Sequence, residues 1–167
     1  MPTVTHLAGV LADAINRCDP QLLRSICAST YQGYDASREA AQHGRLAFMD
    51  DLRRLTDSFS DGRVSIVSQT AEGNRSAVFW MFRGTHTGSF LGIPATLRVV
   101  RICGVSHLES DGEHLIRGLH LWDMAGLLRG LRLLPDLPDR DSSESLQKGM
   151  RRALRNQHSG QRPQPTP

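Results

Sequence analysis

Asp61-Gly62-Arg63-Val64-Ser65-Ile66-Val67 is where this chain of 167 residues turns from helix-like to strand-like sequence. Asp-Gly is a turn signal, and Val64, Ile66 and Val67 behind it favour a pleated, half-buried surface. On the N-terminal side, Arg45–Phe59 puts Phe48, Met49, Leu52, Leu55 and Phe59 on one helical side. Further back, Leu7, Val10, Leu11, Ala14 and Ile15 recur at i, i+3, i+4, i+7 and i+8, the spacing of an amphipathic helix. Asp19-Pro20 supplies an N-cap and a first-turn proline for a short second helix carrying Leu22, Leu23 and Ile26. Residues 29–44 show no clear period.

On the C-terminal side the sequence predicts three more strands. Arg75–Arg83 is rich in β-formers, and Ala95–Leu108 reads as a long strand in which Gly104 marks a bulge or strong bend. Asp111-Gly112 signals a hairpin, and a last strand runs from about His114 to Trp122. Met124–Leu131 is long enough for one or two helical turns. Helices first and strands afterwards argue for an α+β domain, of a kind that wraps a curved sheet around a helix and leaves a conical pocket. The Arg75–Arg83 strand is apolar on both faces, with Ala77, Phe79 and Met81 on one and Val78, Trp80 and Phe82 on the other. Such a sheet needs cover on both sides, so a homodimer through the outer face is expected.

Composition narrows the partners. Residues 136–167 hold six bases and four acids, so +2 of the net +3 lies there and the rest of the chain carries +1. That is no footprint for a phosphate backbone, and no nucleic-acid partner is expected. The three cysteines form no CxxC pair. No apolar run approaches the ~20 residues of a membrane span, and a reduced, cytoplasmic protein is expected. The expected organisation is one domain over 1–135 followed by a polar, flexible tail over 136–167, in which residues 144–155 form at most a transient basic helix. The seven histidines include no HxH, HxxxH or HExxH spacing, and there is no GxGxxG, Walker loop or GxSxG elbow. Neither a metal nor a cofactor is expected.

Two stretches carry a family signal: Gly84-Thr85-His86-Thr87-Gly88-Ser89-Phe90-Leu91-Gly92-Ile93-Pro94 and Trp122-Asp123-Met124-Ala125-Gly126-Leu127-Leu128. Together with the Asn16-Arg17-Cys18-Asp19 break after the first helix, they resemble the SnoaL-like polyketide cyclases of the nuclear transport factor 2-like superfamily. The likeness spans about Leu7 to Pro135. It implies a cone with a pocket and a cofactor-independent, intramolecular aldol-type ring closure. It also places Asp123 where the family keeps the aspartate that takes a proton from carbon between carbonyl groups and later returns it.

Read from the residues alone, Asp123 has two roles open to it. It ends an apolar strand after Leu119, Leu121 and Trp122, where desolvation would raise its pKa into a useful acid/base range. It also precedes a helical stretch, where Asp is a favoured N-cap. His107, on the third strand, is the second catalytic candidate, as a donor to an enolate oxygen. His120, Trp80, Phe82, His86 and Trp122 are candidate substrate-binding residues, the aromatic ones offering flat surfaces to a polycyclic substrate. Strand alternation puts His120 and Asp123 on opposite faces. The resemblance also implies an alternative, hydration or hydrolysis in a similar cone as in limonene-epoxide-hydrolase-like relatives, which use an Asp-Arg-Asp arrangement, and no second acid is evident on the strands. Two further alternatives are a cone that only templates ring closure and one that binds a small molecule without turning it over.

Overall fold

The computed structural model describes residues 2–136. The expected tail lies outside the described residues except for Asp136. Two helices open the chain, α1 (Val4–Arg17) and α2 (Pro20–Ile26), followed by β1 (Cys27–Asp35), β2 (Ala40–His43) and α3 (Arg45–Ser58). The remaining elements are β3 (Arg63–Glu72), β4 (Arg75–Thr85), β5 (Val99–Ser110), β6 (Leu115–Trp122) and α4 (Met124–Gly130). The six strands form one curved open sheet in the order β2-β1-β6-β5-β4-β3, parallel only between β1 and β6. The α+β fold read from the sequence is the observed one.

Local chemistry explains the boundaries. Thr3 caps α1 by accepting the His6 N–H, and Cys18 ends it in the left-handed region at φ 52°. The Asp19 carboxylate accepts the N–H groups of Gln21 and Leu22 at the start of α2, with Pro20 in the first turn. Asn16 joins α1 to the sheet: its amide donates to Val64 O (2.9 Å) and accepts from Val64 N (2.7 Å). This satisfies backbone groups on the outer edge of β3, which has no further strand beside it. Leu7, Leu11 and Ala14 of α1 pack with Phe48, Val78 and Leu108 in one core cluster; Phe59, Phe82, Val100 and Leu127 form a second.

The segment 29–44, in which the sequence shows no clear period, contains most of β1 and all of β2. Two expectations need correcting. The long third strand begins at Val99, because Leu97 adopts φ 56° and its N–H donates to His86 O. Gly104 is not a bulge, since it pairs regularly with Trp80 and Trp122. It is needed because a Cβ there would collide with the Trp80 ring.

Candidate active site

The sheet curls around a cavity of about 160 Å³ that α1 and α3 flank. Its walls are mostly apolar, including Leu11 and Ile15 of α1, Leu52 and Leu55 of α3, and Val78 and Phe82 of β4. Polar side chains enter it from only a few positions: Asp35, Arg38, Gln42, Asp51, Ser106 and His120, with the indoles of Trp80 and Trp122. They form two hydrogen-bonded groups.

The first group is an acid-arginine-acid bridge. Asp35 ends β1, Arg38 lies in the turn after it, and Asp51 comes from the second turn of α3. Arg38 Nε donates to Asp35 Oδ2 at 2.6 Å, and its Nη2 donates to Asp51 Oδ2 at 2.8 Å. Burial alone would lower the Arg38 pKa, but hydrogen bonds and the charges of both aspartates outweigh it, and the guanidinium is held above its usual value. Asp35 is saturated: it accepts from Ser37 N and Arg38 N, and from Trp122 Nε1 at 3.0 Å. Asp51 is not. Gln42 Nε2 also donates to its Oδ2 at 2.7 Å, while its Oδ1 makes no hydrogen bond among the described residues.

The second group centres on His120, whose ring stacks on Phe48 at 5.6 Å. Its Nε2 lies 3.1 Å from the Tyr31 hydroxyl and its Nδ1 2.8 Å from Ser106 Oγ. Trp80 Nε1 donates to the same Ser106 Oγ at 2.9 Å. The half-buried imidazole borders the cavity, and burial pushes its pKa down to about 4. It is neutral at neutral pH. Burial, with a smaller contribution from Cys27, also raises the pKa of Tyr31 above the ordinary phenol value, so Tyr31 stays protonated.

Three strand glycines make this packing possible. A Cβ at Gly118 would collide with the Tyr31 hydroxyl, one at Gly33 with the Gln42 amide, and one at Gly104 with the Trp80 ring. Glycine inside a strand marks such close approaches. That signal is present in the sequence, although which side chains fill the gaps is not.

Among the residues that the sequence singles out, His120, Trp80, Phe82 and Trp122 line the cavity. Asp123 does not. It is exposed, and its Oδ1 accepts the Gly126 N–H at 2.7 Å as the N-cap of α4. Alternation along β6 turns His120 and Trp122 inward and sends Leu121 and Asp123 outward, away from the cavity. His107 is likewise exposed on the outer face, paired with Leu119, while its neighbour Ser106 pairs with His120. The turn is centred beyond Asp111-Gly112 and the register shifts between Glu109 and Ser110, so His107 meets Leu119 rather than a residue near 116. His86 is fully buried but outside the cavity wall: its Nδ1 accepts from Thr96 N, its ring stacks on Phe59, and burial lowers its pKa. It holds the loop. Asp35, Arg38, Gln42, Asp51, Ser106 and Tyr31 are the site residues that sequence reading missed.

A family model described as SnoaL-like polyketide cyclase matches residues 5–131. The chain belongs to the SnoaL-like polyketide cyclase family. Solved structures agree on the fold, which is that of the nuclear transport factor 2 and ketosteroid isomerase-like cones. A protein from Jannaschia sp. CCS1, provisionally described as a SnoaL-like polyketide cyclase, superposes with a TM-score of 0.72 at 18% identity, covering 79% of this chain and 93% of that one. AclR from Streptomyces galilaeus, provisionally described as a hydroxylase, gives 0.72 at 21% identity over 96% of this chain and 98% of its own. IdmH from Streptomyces antibioticus, provisionally described as a polyketide cyclase, gives 0.70 at 19% identity over 78% and 99%. No curated protein matches the sequence. Among the described residues, no helix is long and apolar enough to cross a membrane, and no group of three or more His, Cys, Asp or Glu side chains is placed to hold a metal.

Proposed function

We propose that this family member closes a ring in a polyketide intermediate by an intramolecular aldol-type step inside the cavity, without a cofactor, with Asp51 as the proton acceptor and donor. One observation carries the choice of residue: Asp51 borders an apolar cavity with Oδ2 tied to Arg38 and Gln42 and Oδ1 unengaged. The ties fix the carboxylate, and the unengaged oxygen is available to a substrate. A carbon between two carbonyl groups loses its proton to Oδ1. The resulting enolate carbon then attacks a second carbonyl of the same molecule. Asp51 returns its proton to the new alkoxide, so the product is an isomer of the substrate. Folding the chain so that the two carbons meet supplies much of the acceleration. A cavity of about 160 Å³ encloses about one aromatic ring, so the reacting end of a larger intermediate enters while the remainder stays outside. The reading includes a cytoplasmic homodimer and neither a nucleic-acid nor a membrane partner.

The test is turnover of a panel of polyketide esters and thioesters by the wild type and by Asp51→Asn, followed by mass spectrometry. An isomeric product, formed about 10²–10⁴-fold more slowly by Asp51→Asn, is the expected result. An unimpaired variant would remove Asp51 from the chemistry. A second reading is favoured by the Asp35–Arg38–Asp51 bridge itself, the acid-arginine-acid arrangement that hydration in such a cone would use. There Asp51 deprotonates water in place of carbon, and a product heavier by one water would decide for it.

A further inference from the structure

A carboxylate is a weak base toward a carbon acid, so ring closure at Asp51 needs a group that stabilises the enolate oxygen. Hydrogen counting around His120 finds one. The Tyr31 hydroxyl is fully buried, and His120 Nε2 is its only side-chain hydrogen-bond partner among the described residues. Were Nε2 protonated, the Tyr31 proton would be stranded in the core, at a cost of about 1–3 kcal/mol. Tyr31 therefore donates to Nε2. The neutral imidazole then carries its one proton on Nδ1 and donates it to Ser106 Oγ. Indole N–H can only donate, so Trp80 Nε1 is a second donor to the same oxygen.

With both lone pairs of Oγ occupied, the hydroxyl proton of Ser106 has no acceptor among the described residues. Ser106 is itself part of the cavity wall. We propose that Ser106 is a catalytic residue, donating a hydrogen bond to the enolate and alkoxide oxygen of the substrate, with Tyr31, His120 and Trp80 as positioning residues that aim and polarise it. The assignment rests on the ring-closure reading for its substrate but not for its geometry. Two N–H or O–H donors feeding Oγ strengthen the bond it gives in turn. The arrangement is selective for an anionic or strongly polarised oxygen on an otherwise apolar ligand.

A ring-sized oxyanion tests this apart from turnover. p-Nitrophenolate and its neutral counterpart nitrobenzene are titrated into wild type, Ser106→Ala and Ser106→Thr, with binding followed by absorbance and calorimetry. Wild type is expected to bind the phenolate, Ser106→Ala to bind it at least ten-fold more weakly with nitrobenzene affinity unchanged, and Ser106→Thr to keep most of the phenolate binding. Equal phenolate affinity in wild type and Ser106→Ala would overturn the proposal, as would wild type binding nitrobenzene but not phenolate. Nitrogen NMR of His120 gives an independent readout: a proton on Nδ1 is expected in the wild type, and a wild-type proton on Nε2 would overturn the proposal too. Failure of every polyketide on the panel with phenolate binding intact would instead count against ring closure alone.

Discussion

An Asp123→Ala substitution removes a helix cap and nothing from the cavity. The one hydrogen bond of its side chain among the described residues, accepted from Gly126 N, is at the exposed end of α4, and losing such a cap costs about 1 kcal/mol. Turnover per folded molecule should be unchanged while the thermal midpoint falls by several degrees, measured by calorimetry beside the activity assay; a large drop in activity at full folding would return the proton transfer to Asp123. His120 makes a different kind of prediction, because burial of its ring adds a contribution to stability that is lost in acid. Folded, the ring takes a proton near pH 4, being desolvated among Phe48, Tyr31 and Ser106. The nearby Asp35 and Asp51 charges pull the pKa up and Arg38 pushes it down, both by less than burial does. Unfolded, it protonates near 6.5. The unfolded chain therefore binds the extra proton between those values. The stabilisation is complete above about pH 6.5 and is lost as the pH falls toward 4, by up to roughly 3 kcal/mol. Urea titrations across that range should show this slope in the wild type and its absence in His120→Gln. A wild-type curve flat from pH 7 to 4 would mean that the ring is already hydrated in the fold.

Glycine substitutions separate the elements that frame the site from those that only build the domain. In β6, Gly118→Ala pushes a methyl group into the Tyr31 hydroxyl and His120 Nε2. Overpacking of that kind costs about 1–3 kcal/mol, and it should disrupt the His120 group. In α1, a methyl group at Gly9 would meet nothing within 4 Å, and Gly9→Ala should add about 0.5–1 kcal/mol through helix propensity. Opposite shifts in denaturation midpoint are expected, and a neutral Gly118→Ala would mean that β6 can move away from Tyr31. The same elements show what the sequence could disclose. α1, α3 and β4 were legible because their inward residues are largely apolar and recur at the period of the element, and β6 because the Asp111-Gly112 turn signal precedes it. β1 was not, because its inward positions are Tyr31, Gly33 and Asp35, residues that serve the cavity and break the alternation expected of a strand. The acid-arginine-acid bridge was hidden for a related reason. Asp35, Arg38 and Asp51 sit on a strand end, a turn and a helix, so no local spacing joins them, and Asp51 beside Asp50 reads as an ordinary solvated helix face.

The outer face of the sheet raises the question of what covers the domain as a whole. Phe79, Val105 and Leu121 lie side by side across β4, β5 and β6, and Ala77, His107, Leu119 and Tyr34 form the next row. Leu119 is 47% exposed, Leu121 58% and Tyr34 42%. Around one border of this apolar area, Glu109 bridges Arg75 and Arg117, so an uncharged centre meets a charged rim, the anatomy of a protein interface. A second copy satisfies such a surface most simply, since a two-fold axis sets each apolar row against its own counterpart. That symmetry also doubles any defect. Leu121→Arg places a charge on each of two opposed faces, at a position exposed in the single chain and therefore harmless to its own folding. Light scattering after gel filtration should give twice the chain mass for the wild type and a single chain mass for Leu121→Arg, with unchanged circular dichroism. A variant that remains dimeric would move the interface off this face, whereas a monomeric wild type would leave these leucines and Tyr34 in water.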